Sequence, residues 1–248
     1  MSQSITFHGA ARTVTGSKHL LTLGGSKVLV DCGLFQGDEA IGIDMNFGQV
    51  SHIKAVVITH GHIDHVGRLP WLIAAGYRGP IICTVPTERL LPLILEDALN
   101  IQIGKLPTLI TATLTRLKQQ LVPLEYKQPY FVDDGTEANP PRATLQNAGH
   151  ILGSAYVEIA YRGKTTVFSG DLGPSDALMN PKPVSPLRAD RLILESTYGD
   201  RQHQGREDRL AAFKQIILRS LEDGGPILIP AFSLGRTQEL LASIEAIK

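Results

Sequence analysis

The chain carries only two cysteines, Cys32 and Cys83, among 248 residues. They are too few and too far apart in sequence to form a disulfide framework, which excludes a disulfide-stapled miniprotein and leaves nothing that demands an oxidising compartment. Long apolar runs are missing too: no window reaches the roughly 18 residues that a membrane span needs. The opening MSQSITFHGAARTVTGS has no charged segment followed by an apolar stretch, so a soluble, unexported, cytoplasmic protein with no membrane partner is expected. Charge of one sign is also lacking, since Lys plus Arg and Asp plus Glu each number 24. No global basic field announces a nucleic-acid partner. A phosphodiester enzyme can still hold its substrate with a local patch and with metal ions, whose charge a residue count omits.

Hydrophobic residues make up 43% and charged ones 19%, an ordinary globular composition that predicts a packed core. The length allows one large domain or two modest ones. Short apolar or β-branched runs at 4–8, 20–23, 27–31, 55–59 and 80–84 are separated by glycines and read as strands. Helical spacing of Leu90, Leu91, Ile94, Leu95 and Leu99 predicts a helix over 85–102, and a second is expected over 108–122. Strands are predicted at 142–148, 155–161, 164–169 and 191–195. From about residue 202 the pattern changes to a helix lined by Leu210, Phe213, Ile216, Ile217 and Leu221, a strand at 226–230 and a final helix with Leu240, Leu241, Ile244 and Ile247.

The densest chemistry lies just after the 55–59 strand, where His60, His62, Asp64 and His65 share one short loop. Imidazole and carboxylate suit Zn²⁺ and similar ions, and a loop leaving a strand can aim alternate side chains into one cleft. The helix expected to start near Asp64 also aims backbone N–H groups outward, which favours anions. His150 in Ala-Gly-His-Ile-Leu-Gly-Ser and Asp171 in Phe-Ser-Gly-Asp-Leu-Gly follow other strand-like runs beside glycines. Six ligand-type side chains at strand ends read most economically as a two-metal site, and the reaction class as hydrolysis.

The series HxHxDH, Gly-His and Gly-Asp, with Asp31 in Val-Asp-Cys-Gly before it, resembles the metallo-β-lactamase superfamily. The matched groups span most of positions 31–171. Within it, Leu194-Glu195-Ser196-Thr197-Tyr198-Gly199 and the string at 229–239, Ile-Pro-Ala-Phe-Ser-Leu-Gly-Arg-Thr-Gln-Glu, resemble the start of the β-CASP branch. That branch contains RNA- and DNA-processing nucleases, including cleavage and polyadenylation endonucleases and bacterial and archaeal RNases.

The resemblance implies an α/β fold, an αββα four-layer sandwich over residues 1–200, with the start of an inserted α/β cassette at 201–248. It implies that His60, His62 and His150 hold one zinc, Asp64 and His65 the other, and that Asp171 bridges them. Two Zn²⁺ are expected, with Mn²⁺ or Fe²⁺ as substitutes. The catalytic candidates are Asp64, Glu195 and Asp31, with Asp31 orienting the ligand loop and Glu195 matching the first acidic cassette motif. Ser233 and Arg236 are the substrate-binding candidates. The implied activity is cleavage of phosphodiester bonds in RNA, or in single-stranded DNA, by a hydroxide held between two zincs.

Two later histidines of the family pattern, one for the second metal and one for the leaving group, have no counterpart here. The only histidine after His150 is His203, in no matching motif. The chain is therefore expected to be the N-terminal half of a longer enzyme, as a fragment or a natural truncation, with a homo-oligomer as the other way to complete it. Residues 202–248 are expected to expose an apolar face.

Blander readings stand beside these. Asp31 can be a turn-capping aspartate, Glu195 a strand-end carboxylate, and residues 233–236 an ordinary helix start with Arg236 solvated. His8, His19, His52 and His203 read as surface or strand histidines, and the two cysteines as small buried hydrophobes. The rival functions are a small-molecule ester or thioester hydrolase and a metal-binding, catalytically idle scaffold.

Overall fold

The computed structural model describes residues 3–37, 50–104, 106–132, 135, 138–201 and 208–247. Its first sheet runs in the order β1 (Gln3–Gly9), β2 (Lys18–Leu23), β3 (Ser26–Val30), β4 (Ile53–Val57), β5 (Ile81–Thr84) and β6 (Leu121–Leu124). The first three strands are antiparallel and the last four are parallel. The second sheet orders β11 (Arg191–Ile193), β10 (Lys164–Phe168), β9 (Ala155–Tyr161), β8 (Arg142–Asn147) and β7 (Pro129–Phe131). The α/β sandwich class expected from the sequence is what forms.

Strand periodicity assigns the two cores. Side chains alternate across a strand, so Val28, Val30, Ala55, Val57 and Ile82 meet Leu145, Val157 and Phe168 between the sheets. Their neighbours Leu29, Val56, Ile58, Ile81 and Cys83 face the opposite way, into a second core with the helices. That double burial explains why the run AVVI at 55–58, the end of β4 and the residue after it, is continuously apolar rather than alternating. The helical layer consists of α1 (Ile63–Val66), α2 (Leu69–Ala74), α3 (Val85–Gln102) and α4 (Pro107–Gln120). Thr84 starts α3 by accepting a hydrogen bond from the Thr87 N–H at 3.3 Å, and Leu91 and Leu95 lie on its buried face. Two further helices, α5 (Arg209–Asp223) and α6 (Arg236–Ala246), follow the second sheet.

Three local expectations are corrected. The helix expected over 108–122 stops at Gln120, and residues 121–124 turn into β6 beside β5. Pro123 is tolerated there because β6 is an edge strand, whose far side needs no ladder donor. Strand β7 was not foreseen, being three residues long at the opposite edge. The strand expected at 226–230 does not form: those residues are exposed and no described strand lies alongside to pair with them.

Candidate metal centre

The site is built where β3, β4, β8 and β10 end. Asp31 follows β3 directly, and its backbone takes the left-handed conformation, φ 60°, that aspartate tolerates better than most residues. Its buried carboxylate accepts hydrogen bonds from the Thr59 N–H at 2.8 Å, the Thr59 hydroxyl at 3.0 Å and the Ser17 hydroxyl at 3.1 Å. The His65 Nδ1 lies 2.7 Å from the same carboxylate. Backbone bonds lock the His-rich loop onto the 31–34 turn and onto Ser17: Cys32 N–H donates to His65 O at 2.7 Å, Leu34 N–H to Ile63 O at 3.1 Å and Ser17 N–H to Asp64 O at 2.8 Å. Gly33 is required by this approach, since a Cβ there would stand 1.6 Å from the Asp64 carbonyl oxygen.

Four donors converge above that base. One ligand atom from each of His60, His62, His150 and Asp171 lies within 4.8 Å of all the others. His62 Nδ1 is 3.1 Å from His60 Nε2 and 3.2 Å from His150 Nε2. Asp171 Oδ2 is 3.7 Å from His60 Nε2 and 3.6 Å from His150 Nε2. A tetrahedral ion with bonds of about 2.0–2.1 Å spaces its ligand atoms by about 3.3 Å, so this donor set fits a divalent cation. On the other side of Asp171, His65 Nε2 lies 3.2 Å from Asp171 Oδ1 and 3.7 Å from Asp64 Oδ2. The structure thus brings together all six sequence-predicted ligands, in two groups that share Asp171.

Burial and mutual proximity perturb the titration of these groups. Burial and the neighbouring imidazoles hold His60 well below its ordinary value, and burial pushes His150 down to about 4. Burial raises Asp64. Burial works against a proton on His65, yet the carboxylates of Asp31 and Asp171 outweigh it and hold His65 well above its ordinary value. Burial likewise works against charge on Asp171, but its hydrogen bond with His65 prevails and lowers it.

Several supporting residues are not among the candidates read from the sequence. The Thr59 hydroxyl donates to Asp31 and can accept from His60 Nδ1–H at 3.0 Å, which leaves His60 Nε2 free to face the donor cluster. The Ser154 hydroxyl accepts from the His150 N–H at 2.8 Å and the Ile151 N–H at 3.1 Å, fixing the loop that bears His150. Thr59 precedes His60 at a strand end and was legible by position alone, whereas Ser17 and Ser154 had nothing to mark them.

The remaining candidates lie around this centre. Glu195 accepts a hydrogen bond from the Leu172 N–H and so grips the turn that carries Asp171. Ser233 and Arg236 are exposed, and Arg236 pairs with Glu239 at 2.8 Å. Arg236 is close enough to His150 to contribute to the lowering of that imidazole. His19 is buried beside Phe7 and Phe168, and His8 is exposed. His203 lies outside the described residues.

Two facing sheets with histidines and aspartates gathered at the strand ends define an α/β protein with a metal-binding edge. Residues 16–198 match the Metallo-beta-lactamase superfamily, and the chain belongs to that superfamily, in its β-CASP branch. It is 41% identical over 236 residues to a ribonuclease of Thermus thermophilus, covering 94% of this chain and 52% of the relative. Integrator complex subunit 11 of Danio rerio is 33% identical over 97% of this chain and 42% of its own length. Transcription termination factor FttA of Methanocaldococcus jannaschii is 32% identical over 97% of this chain and 39% of its own. The chain spans about half the length, or somewhat less, of these curated relatives.

Proposed function

We propose that this chain hydrolyses phosphodiester bonds in RNA with two zinc ions, the first held by His60, His62 and His150, the second by Asp64 and His65, and Asp171 shared between them. The observation that carries the reading is the convergence of His60, His62, His150 and Asp171 on one point, with His65 and Asp64 adjoining through Asp171. The ribonuclease among its relatives supports RNA as the substrate class. Divalent ions at such a site lower the pKa of water and neutralise charge on phosphate oxygens.

The chain's own residues supply orientation. Asp31 and Thr59 fix the rings of His65 and His60, Ser154 fixes the His150 loop, and Glu195 fixes the turn bearing Asp171. Ser233 and Arg236 lie at the start of α6 on the rim, where backbone N–H groups and a guanidinium suit a phosphate oxygen. Asp64, beside His65 in the second group, would help hold the second ion and so has a part in catalysis. No helix among the described residues is long and apolar enough to cross a membrane, and Cys32 and Cys83 are free and buried. Both facts accord with work in the cytoplasm.

The test is cleavage of a labelled single-stranded RNA, with single-stranded DNA and a thioester in parallel. Asp64→Asn, His62→Ala and Asp171→Ala are each expected to abolish RNA cleavage while circular dichroism stays unchanged. Retained turnover in any of them, or steady thioester turnover without RNA cleavage, overturns the assignment.

A further inference from the structure

The ring of His62 is held from outside the sandwich. Its Nε2 lies 3.3 Å from the backbone carbonyl of Leu234, 172 positions further along the chain. We infer that the loop at 231–235 positions the metal centre: the Leu234 carbonyl orients His62, and Gln238 keeps that carbonyl in place. The inference rests on the reading of His62 as a metal ligand.

A carbonyl oxygen can only accept, so this contact puts the imidazole proton on Nε2 and leaves the lone pair on Nδ1. Nδ1 is the atom that points into the donor cluster, 3.1 Å from His60 Nε2 and 3.2 Å from His150 Nε2. The Leu234 carbonyl therefore selects the tautomer able to coordinate and opposes rotation of the ring, as outer hydrogen bonds to ligand histidines commonly do.

The loop is built to keep the carbonyl there. The Gln238 side chain clamps both flanks of Leu234, accepting from the Gly235 N–H at 2.7 Å and donating to the Ser233 carbonyl at 3.0 Å. Thr237 donates twice to the Phe232 carbonyl, from its hydroxyl at 2.7 Å and its N–H at 3.2 Å. Gly235 has φ +88°, and a Cβ there would stand 2.6 Å from Ile151 Cγ2, beside His150. On the opposite side, Leu234 Cδ2 lies 3.7 Å from where a Cβ on Gly61 would be. Residues 234 and 235 are thus seated between the loops that carry His62 and His150. No residue of 231–235 is buried, so polar clamping and this seat, rather than core packing, hold the loop. Coupling of this kind is reciprocal: a metal ion that steadies His62 also steadies the loop.

The test uses the full chain. Gln238→Ala removes the clamp without touching a ligand, and Gln238→Glu keeps the acceptor for the Gly235 N–H. Zinc affinity is measured by competition with a chromophoric chelator, and the His62 ring nitrogens are followed by ¹⁵N NMR in the metal-free chain. Gln238→Ala is expected to weaken zinc binding about tenfold, the low end of what outer-contact losses cause, and to mix the two His62 tautomers while His60 keeps its own. Gln238→Glu should recover part of both. Gly235→Val, which drives the loop off Ile151, should match or exceed the alanine effect. Zinc binding by the unaltered chain that neither Gln238→Ala nor Gly235→Val weakens, with His62 still protonated on Nε2, overturns this inference alone. Absence of zinc binding by the unaltered chain overturns the metal-site reading, and this inference with it.

Discussion

Asp31 concentrates three jobs in one carboxylate: it closes the end of β3, takes the Thr59 and Ser17 donors and aligns His65. Asp31→Asn keeps an oxygen acceptor and a side chain that tolerates positive φ, yet removes the charge facing His65. Metal affinity is expected to fall about 10–100-fold with little change in the melting temperature. Asp31→Ala in addition leaves the buried Thr59 N–H without an acceptor, costing about 1–3 kcal/mol in denaturant titrations. His19, outside the proposed ligand set, offers a pH test. Burial lowers its pKa despite the pull of Asp31, and its Nε2 has no hydrogen-bond partner among the described residues. Below its unfolded value the unfolded chain takes up a proton that the folded chain resists, so this group's contribution to stability falls as pH drops through about 6.5. Stability measured from pH 8 to pH 5 should decline less steeply in His19→Leu than in the unaltered chain. An equal slope would show that His19 titrates alike in both states.

Elements were legible where the pattern was strong. The apolar run of β4 and the helical face of Leu91 and Leu95 announced a buried strand and a covering helix because burial on both sides, or on one stripe, leaves a mark in the spacing. The six residues proposed as ligands were legible for a different reason: imidazoles and carboxylates clustered just after strands suit metal coordination. What escaped was pairing that depends on distant partners. Leu121 and Val122 continue the periodicity of α4 but pair with β5, and residues 226–230 have strand composition with nothing beside them. The Leu234 carbonyl at His62 was invisible because a backbone oxygen has no residue type. Packing between the sheets gives a quantitative check on the elements themselves. Leu145 on β8 is fully buried there, and Leu145→Ala is expected to cost about 2–5 kcal/mol in unfolding free energy. A loss below 1 kcal/mol would mean that the two sheets do not face each other at this position.

Across the whole molecule, order of packing divides the chain. The fully buried members of both cores lie at or before Phe168, whereas no residue described between 208 and 247 is buried. Leu221, Leu228, Phe232 and Leu241 are more than half exposed. Exposed apolar side chains of this size favour removal from water, and the chain is expected to bind an apolar-surface dye or to self-associate. A monodisperse monomer without dye signal would contradict it. The most direct test of the central claim is the number of divalent metal equivalents per chain after purification without chelator or metal-affinity resin, reconstitution with zinc and exhaustive dialysis. The two-group arrangement of His60, His62 and His150 with Asp171, and of Asp64 and His65 with the same Asp171, predicts about two equivalents. One equivalent or none would contradict it.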